Sequence, residues 1–171
     1  MTDPLLKYRE QHKHRLNYMP WLYWSLKPKH REWAEQWQAE YQAYLLEMET
    51  VEIGENCFIS PLAHIFAERG RKISIGDNTF IAADCTLHGP LQIGNEVAIN
   101  HHCILDGGRA GIKLHDQVRI AAYSHLYAFD HGMDLERPIY QQAVTSKGIE
   151  IGQDVWLGSH VGIKDGVKIR D

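Results

Sequence analysis

The chain has 171 residues, the usual length of a single domain. Its 18 basic and 22 acidic residues give a net charge of -4, which argues against the strongly basic face of a nucleic-acid-binding protein. No apolar run approaches the ~20 residues needed to span a bilayer, and the first residues lack the apolar core of a secretion signal. Three cysteines without close pairing do not make a disulfide framework, so a reducing, cytoplasmic location is expected.

Residues 1–50 form a basic, aromatic segment that is predicted to be helical. Asp3-Pro4 is a typical helix start. A second helix is indicated by an aromatic and apolar stripe at spacings of three and four, made of Trp33, Trp37, Tyr41, Tyr44, Leu45 and Met48. Aromatic and basic residues suit contact with an anionic membrane surface, but such a stripe more often packs against protein. We therefore favour a helical lid over an open end of the next domain, or a dimer or trimer contact.

Residues 51–171 repeat with a period of six. Sixteen positions, all Ile or Leu, follow this period: Ile53, Ile59, Ile65, Ile75, Ile81, Leu87, Ile93, Ile99, Leu105, Leu114, Ile120, Leu126, Ile151, Leu157, Ile163 and Ile169. One hexapeptide supplies a short strand and a corner, and it cannot bury its aliphatic side chain alone. Three hexapeptides therefore close a coil of eighteen residues, and successive coils stack around an aliphatic interior.

Small or β-branched side chains follow the aliphatic position by four residues, and Gly with a polar pair often follows it directly, as in Gly76-Asp77-Asn78. We expect these glycines to supply the backbone angles of a tight corner. Cys85 and Cys103 are eighteen residues apart, which predicts that they stack as small buried side chains.

Three insertions interrupt the period, and each follows the third hexapeptide of a coil. The spacing exceeds six by four between Ile65 and Ile75, by three between Leu105 and Leu114, and by nineteen between Leu126 and Ile151. All three loops are therefore predicted to leave the solenoid at one corner, where the longest, residues 127–150, is a candidate catalytic loop.

The repeat, the excursion after a short strand that ends at Asp130-His131, and the stretch Ile149–Ser159 resemble the hexapeptide-repeat acyltransferases. Within that family they are most similar to the galactoside, maltose, streptogramin and polysaccharide O-acetyltransferases. The resemblance implies a left-handed parallel β-helix over residues 51–171, a homotrimer with catalytic pockets between subunits, and acetyl-CoA as donor substrate. It implies transfer of an acetyl group to a hydroxyl of a sugar-like or other small acceptor, without a metal.

The same resemblance implies roles for individual residues. His131 matches the histidine that acts as general base on the acceptor, and an imidazole titrates near neutral pH as this chemistry requires. Trp156 and Ser159 match positions close to the thioester of the donor, where a hydrogen-bond donor would stabilise the oxyanion. Asn100 matches an acceptor-binding residue, and Asp106 lies near a second one.

Two other functions remain open at this point. Six histidines lie on or near the repeats and raise the possibility of a zinc-dependent, carbonic anhydrase-like enzyme: His64, His88, His101, His102, His115 and His125. Their spacing does not match the pair five residues apart that such enzymes would show, because His125 and His131 are six apart. A non-catalytic oligomeric scaffold is the third possibility. The chain ends halfway through a hexapeptide, at Ile169-Arg170-Asp171, so we expect a further coil and cap to be missing.

Overall fold

A computed structural model describes residues 4–171, so the predicted capping residue Asp3 lies outside the described residues. Helix α1 spans Pro4–Tyr18, a 3-10 helix spans Pro20–Ser25, and helix α2 spans Pro28–Met48. The strands follow in chain order: β1 Val51–Ile53, β2 Phe58–Ile59, β3 His64–Phe66, β4 Ile73–Ile75, β5 Phe80–Ile81, β6 Thr86–His88, β7 Leu91–Ile93, β8 Ala98–Ile99, β9 Ile104–Asp106, β10 Ile112–Leu114, β11 Arg119–Ile120, β12 His125–Tyr127, β13 Asp130–His131, β14 Val144–Thr145, β15 Ile149–Ile151, β16 Trp156–Leu157, β17 Gly162–Ile163 and β18 Lys168–Ile169. A second 3-10 helix spans Ile139–Gln141.

The strands form a parallel β-solenoid. Sheet A contains β1, β4, β7, β10, β15 and β18, sheet B contains β2, β5, β8, β11 and β16, and sheet C contains β3, β6, β9, β12 and β17. Five coils each contribute one strand to every sheet, and β18 begins a sixth. The registers agree with the repeat, since Ile53 pairs with Ile75, Ile75 with Ile93, and Leu114 with Ile151. The predicted class, a mainly β helix of hexapeptide repeats with an N-terminal helical segment, is confirmed.

The aliphatic positions of the repeat form the core. Thirteen of the sixteen are buried, and Ile53, Ile163 and Ile169, in the first and last coils, are half-buried and pack against the same cluster. Cys85 and Cys103 are fully buried free thiols, as expected. The hydrogen bond with Cys103 and burial both raise the pKa of Cys85, which keeps it a thiol.

The first corner, between sheets A and B, departs from the expectation for its glycines. Positive φ angles of 53–64° fall instead on Asn56, Asn78, Glu96 and Asp154, two positions after a glycine, and on Gln117, two positions after His115. Gly76 is required for space instead, because a Cβ there would lie 2.6 Å from the carbonyl oxygen of Gly94 in the next coil.

That space is occupied by a ladder of side-chain hydrogen bonds. The backbone N–H of Glu55 donates to Oδ1 of Asp77 at 2.7 Å, and the N–H of Asp77 donates to Oδ1 of Asn95 at 2.8 Å. The N–H of Asn95 continues the ladder to Oδ1 of Asp116 at 2.8 Å. Each coil therefore satisfies a corner amide of the coil before it, which fixes the register between coils.

The N-terminal helices pack on sheet B and on the first coil. Leu16, Tyr23 and Ala34 form a buried cluster with Phe58, Phe80 and Ala98 of the outer face of sheet B. Leu45 and Tyr41 of α2 join the core of the solenoid instead. The segment is therefore a cover on the repeat domain, as the packing alternative predicted.

Helix α2 packs with most of the predicted stripe, including Trp37, Tyr41 and Leu45, but its buried face is rotated relative to the stripe. Tyr44 and Met48 are exposed, whereas Ala34, Gln38 and Leu45 are buried. Gln38 accounts for the difference: its Oε1 accepts the backbone N–H of Ile59 at 2.8 Å, and its Nε2 donates to the carbonyl of Ile59 at 3.1 Å. This one amide pairs both backbone groups of Ile59 in the edge strand β2, which would otherwise be buried without partners.

We expect Gln38→Leu to lower the free energy of unfolding by at least about 1–3 kcal/mol, because a buried backbone group without a partner costs about that much. Gln36→Leu on the exposed face of α2 is the matched control, since Gln36 pairs only with Glu40. Urea denaturation followed by circular dichroism measures both variants. Equal midpoints for the two variants would contradict the role of Gln38 at the edge.

Candidate active site

The excursion between β12 and β15 contains the predicted catalytic loop. Strands β13 and β14 pair antiparallel within it, with His131 opposite Val144. The imidazole of His131 is exposed, and no hydrogen-bond partner for it exists within residues 4–171. His131 is therefore presented on a short hairpin with its ring free to meet a substrate or another copy of the chain.

Gln142 holds the excursion in shape. It is only 8% exposed, its Oε1 accepts the N–H of Asp134 at 2.8 Å, and its Nε2 donates to the carbonyls of Asp134 and Arg137. These bonds join the two arms of the excursion just beyond His131. The position of His131 is therefore held by the hydrogen bonds of Gln142.

Both ends of the excursion are fixed to the corner between sheets C and A. The hydroxyl of Ser146 donates to the carbonyl of Ala128 and accepts the N–H groups of Arg109 and Ala110 at 3.0 and 2.9 Å. Oδ1 of Asp165 accepts the N–H groups of Lys147 and Gly148 at 2.8 Å. All three insertions lie at this corner, as the spacing predicted.

The excursion carries a set of exposed apolar side chains. They are Met133, Leu135, Ile139, Tyr140 and Val144, with exposures from 39% to 100%. A hairpin held by buried hydrogen bonds does not need these side chains for its own packing. Their exposure is typical of a surface that contacts protein or ligand.

Asn100, Trp156 and Ser159 lie on the other side of the solenoid. Trp156 is on the outer face of sheet B, 73% exposed and in register with Arg119. Asn100 and Ser159 are at the second corner, between sheets B and C, and the amide of Asn100 donates to the carbonyl of Ile120 at 2.9 Å. Sheet B is opposite the corner from which the excursion leaves, so one chain does not bring His131 together with Trp156.

Asp106 lies at the end of β9, beside the base of the excursion. Its Oδ1 accepts the N–H of Gly108 at 3.0 Å, and its Oδ2 lies 3.4 Å from Nδ1 of His88. Nε2 of His88 lies 3.1 Å from Glu68, and this hydrogen bond lowers the pKa of the Glu68 carboxyl. Asp106 thus has structural partners at the corner in this chain.

Two grooves on the surface were not anticipated from the sequence. One, of about 540 Å³, lies on sheet B where the N-terminal cover ends, and Trp21, Trp24 and Arg119 are among its lining residues. The other, also of about 540 Å³, lies on sheet A beside the excursion and is lined in part by four lysines, Lys72, Lys113, Lys147 and Lys168. The period of six identifies which residues face outward. It does not indicate that the N-terminal helices or the excursion lie beside those residues and form the other side of each groove.

A column of stacked rings marks the second corner next to Asn100 and Ser159. The rings of His102 and Tyr123 stack with centroids 4.7 Å apart, and those of Tyr123 and His160 with centroids 5.1 Å apart. All three residues have positive φ angles of 59–64°. Nδ1 of His101 lies 3.0 Å from Nδ1 of His102, and burial lowers the pKa of His101.

The histidines that raised the zinc hypothesis are apart from one another except for the pair His101 and His102. His115 lies 3.0 Å from Glu150, His88 is between two carboxylates, and His64 and His125 are exposed on sheet C. In the part of the chain from Pro4 onward, no three His, Cys, Asp or Glu side chains are grouped as metal ligands. Over the same residues, no helix is both long and apolar enough to cross a bilayer.

The fold and the corner excursion define a hexapeptide-repeat solenoid that presents a histidine on a hairpin. No protein-family model matches the chain. The chain is similar to AntD, an N-acyltransferase from Bacillus cereus. A crystal structure of an AntD variant with dTDP-4-amino-4,6-dideoxyglucose and coenzyme A is 28% identical with a TM-score of 0.64, covering 74% of this chain and 70% of that one. Another, with dTDP and coenzyme A, is 26% identical with a TM-score of 0.53, covering 75% of this chain and 74% of that one.

Two curated proteins are also similar in sequence. A dTDP-4-amino-4,6-dideoxy-D-glucose acyltransferase from Escherichia coli is 36% identical over 55 residues, 31% of this chain and 29% of that protein. The bifunctional protein GlmU from Azoarcus sp. (strain BH72) is 30% identical over 92 residues, 54% of this chain and 19% of that protein. The chain spans less than a third of either curated relative. The resemblance to hexapeptide-repeat acyltransferases is confirmed, although AntD is an N-acyltransferase and not one of the O-acetyltransferases that the sequence suggested.

Proposed function

We propose that this chain transfers an acyl group from an acyl-CoA to the amino group of a nucleotide-linked sugar. The observation that carries the proposal is the ordered excursion with exposed His131 on a solenoid that aligns with the AntD complex at a TM-score of 0.64. AntD was crystallised with an amino sugar nucleotide and coenzyme A, and the name of the Escherichia coli relative contains the same amino sugar. These names support an amine acceptor and give no support to the hydroxyl acceptor expected from the sequence.

The chemistry that His131 would perform is proton transfer. The lone pair of the amino nitrogen attacks the thioester carbonyl carbon, a C–N bond forms, and the carbonyl oxygen becomes an oxyanion. The imidazole of His131 accepts the proton that the nitrogen loses. When the oxyanion collapses, the C–S bond breaks, and the imidazolium of His131 returns the proton to the sulfur of the leaving coenzyme A.

The other predicted site residues take supporting roles in this proposal. Trp156 packs against the pantetheine end of the donor, and the hydroxyl of Ser159 donates a hydrogen bond to the oxyanion. Asn100 and Asp106 bind the acceptor. Trp156 and Ser159 are exposed, while Asn100 and Asp106 are half-buried with backbone partners.

We further propose that the site forms between copies of the chain, in a homotrimer. The support is the opposed position of His131, at the corner between sheets C and A, and Trp156, on sheet B. The exposed apolar side chains of the excursion suit contact with a second copy, because large apolar side chains are rarely clustered on a free surface. His131 of one copy then meets Trp156 and Asn100 of another.

Charge beside the excursion suits a donor that carries phosphates. Lys113 and Lys147 line the groove on sheet A, and neither side chain has a salt-bridge partner within the described residues. Lys168 lies 3.3 Å from Glu150 and Lys72 pairs with Glu52, so two of the four lysines are partly neutralised. A cytoplasmic location, where acyl-CoA donors are available, completes the proposal.

The test measures release of the coenzyme A thiol from acetyl-CoA with two matched acceptors. One is dTDP-4-amino-4,6-dideoxyglucose, and the other is dTDP-6-deoxyglucose, which carries a hydroxyl at the same carbon. We expect turnover with the amine and at least a hundredfold less with the hydroxyl compound. The reverse preference would restore the O-acetyltransferase hypothesis, and no turnover with either acceptor under any acyl-CoA tested would favour the scaffold. Light scattering gives the mass of the assembly in the same samples.

A further inference from the structure

The groove on sheet B lies between the first 3-10 helix and the outer face of the solenoid. It has a volume of about 540 Å³ and includes Trp21, Trp24, Phe80, Ala98, Asn100 and Arg119 among its lining residues. The N-terminal cover ends here, so the outward column of sheet B changes from buried Phe80 and Ala98 to exposed Arg119 and Trp156. The groove is therefore open at the end where the proposed donor site begins.

Aromatic rings form one wall and the floor of this groove. Trp24 is fixed, because its Nε1 donates to the carbonyl of Asn56 at 3.3 Å and its ring lies 6.2 Å from that of Phe80. Trp21 is 50% exposed, and its ring makes no aromatic contact with any residue from Pro4 to Asp171. Its indole face can therefore accept a planar ligand without displacing a protein ring.

The opposite wall is polar and carries a positive charge. The guanidinium of Arg119 donates through Nη1 to the backbone carbonyl of Glu96, which holds the side chain beside the groove and leaves its other N–H groups for a ligand. The carboxylate of Glu96 also lines the groove, where its Oε2 accepts from Nε2 of Gln117 at 2.9 Å. Asn100 adds an amide at the end next to the second corner.

We infer that this groove binds the nucleoside end of a nucleotide, with the base stacked on Trp21 and a phosphate held by Arg119. An aromatic face supplies stacking to any base, and a guanidinium is the best matched side chain for phosphate oxygens. The inference rests on the proposed function for the source of the nucleotide. Both the sugar-nucleotide acceptor and the coenzyme A donor carry a base and a diphosphate, so the ligand chemistry is the same for either source.

Calorimetric titration of the full chain with dTDP and with adenosine 3′,5′-bisphosphate distinguishes the two sources without any turnover. We expect Trp21→Ala to weaken binding of one of them by about tenfold or more, which is within the effect of losing one base-stacking contact, and Trp21→Phe to keep most of the affinity. Arg119→Gln should weaken binding of dTDP or of the bisphosphate. It should leave binding of the corresponding nucleoside, which has no phosphate, unchanged. The matched controls are Tyr8→Ala, an exposed aromatic residue on α1, and Arg69→Gln, an exposed arginine at the distant corner.

Loss of affinity for dTDP identifies the acceptor as the occupant of the groove, and loss for the bisphosphate identifies the donor. Unchanged affinity for both ligands in Trp21→Ala and Arg119→Gln, or no binding of either ligand to the wild type, overturns the inference. Nucleotide binding that depends on Trp21, without transfer to the amino sugar, would refute the proposed function and leave the groove assignment intact. Acyl transfer to the amino sugar that is unchanged by Trp21→Ala and Arg119→Gln would refute the groove assignment and leave the proposed function intact. Circular dichroism of each variant verifies that it is folded.

Discussion

His131→Ala is expected to lower kcat for transfer to the amino sugar by about 10²–10⁴-fold, which is the usual contribution of a positioned general base. The imidazole is exposed and has no partner in the described chain, so the free energy of unfolding should change by less than about 0.5 kcal/mol. Steady-state kinetics with acetyl-CoA and urea denaturation measure the two quantities separately.

The control is His64→Ala, which removes an exposed histidine from sheet C of the first coil. It should leave both the rate and the stability unchanged. Activity of His131→Ala within severalfold of wild type would sink the assignment of the base. If the site lies between copies, coexpression of His131→Ala with Trp156→Ala should recover part of the activity, because some mixed sites then contain both native residues.

The second large effect is expected at the first corner of the solenoid. Gly76→Ala should lower the free energy of unfolding by about 1–3 kcal/mol, the usual cost of overpacking a closely packed site. A methyl group there would lie 2.6 Å from both the carbonyl carbon and oxygen of Gly94, and these are backbone atoms that cannot rotate away. The shift of neighbouring coils would also stretch the bond from the N–H of Asp77 to Asn95.

Gly158→Ala is the matched control for Gly76→Ala. Both glycines directly follow a core aliphatic residue of the repeat, but a Cβ on Gly158 would have no atom within 4 Å. The free energy of unfolding of Gly158→Ala should therefore equal that of the wild type, or exceed it by a few tenths of a kcal/mol because the unfolded chain has less conformational freedom. Equal denaturation midpoints for the two variants would show that the corner gives way at little cost.

The repeat made the architecture predictable, because one residue in six had to enter a shared interior. That requirement fixed the pairing of Ile75 with Ile93 and the common corner of the insertions before any coordinates were known. The reason for the glycines at these corners was not predictable. A sequence shows that Gly76 is followed by Asp77, but only stacked coils show that the next coil fills the space of its missing side chain.

The helical cover was predicted as a packed segment, and most of its aromatic stripe is packed, since Trp37, Tyr41 and Leu45 contact the buried clusters. The prediction was wrong for Tyr44 and Met48, which are exposed, and it did not include Gln38, which lies on the buried face. A glutamine in a helix is normally assigned to the solvent side. Its burial here depends on the unpaired backbone of an edge strand, which is a property of the folded sheet and not of the helix sequence.

The candidate site also has a part that the sequence predicts and a part that it does not. His131 could be proposed as the base because its loop and the following Val155-Trp156-Leu157 stretch occur in the order that the family resemblance implies. The groove beside Trp21 could not be predicted from the sequence. It brings residue 21 close to residue 119 only because the N-terminal cover packs on sheet B. The motif around His131 does not distinguish a hydroxyl acceptor from an amine acceptor, because a histidine can accept a proton from either.

The amide of Gln38 has a consequence for how copies of this chain can assemble. An exposed edge strand is a template for another strand, and a solenoid with a bare first coil can extend by end-to-end pairing into a fibre. Gln38 occupies both backbone groups of Ile59, Gln42 takes the carbonyl of Cys57, and Glu49 accepts the N–H of Ala67. With these groups of the first coil already bonded, strand pairing at this end is disfavoured, which is compatible with the side-by-side contact of the proposed trimer.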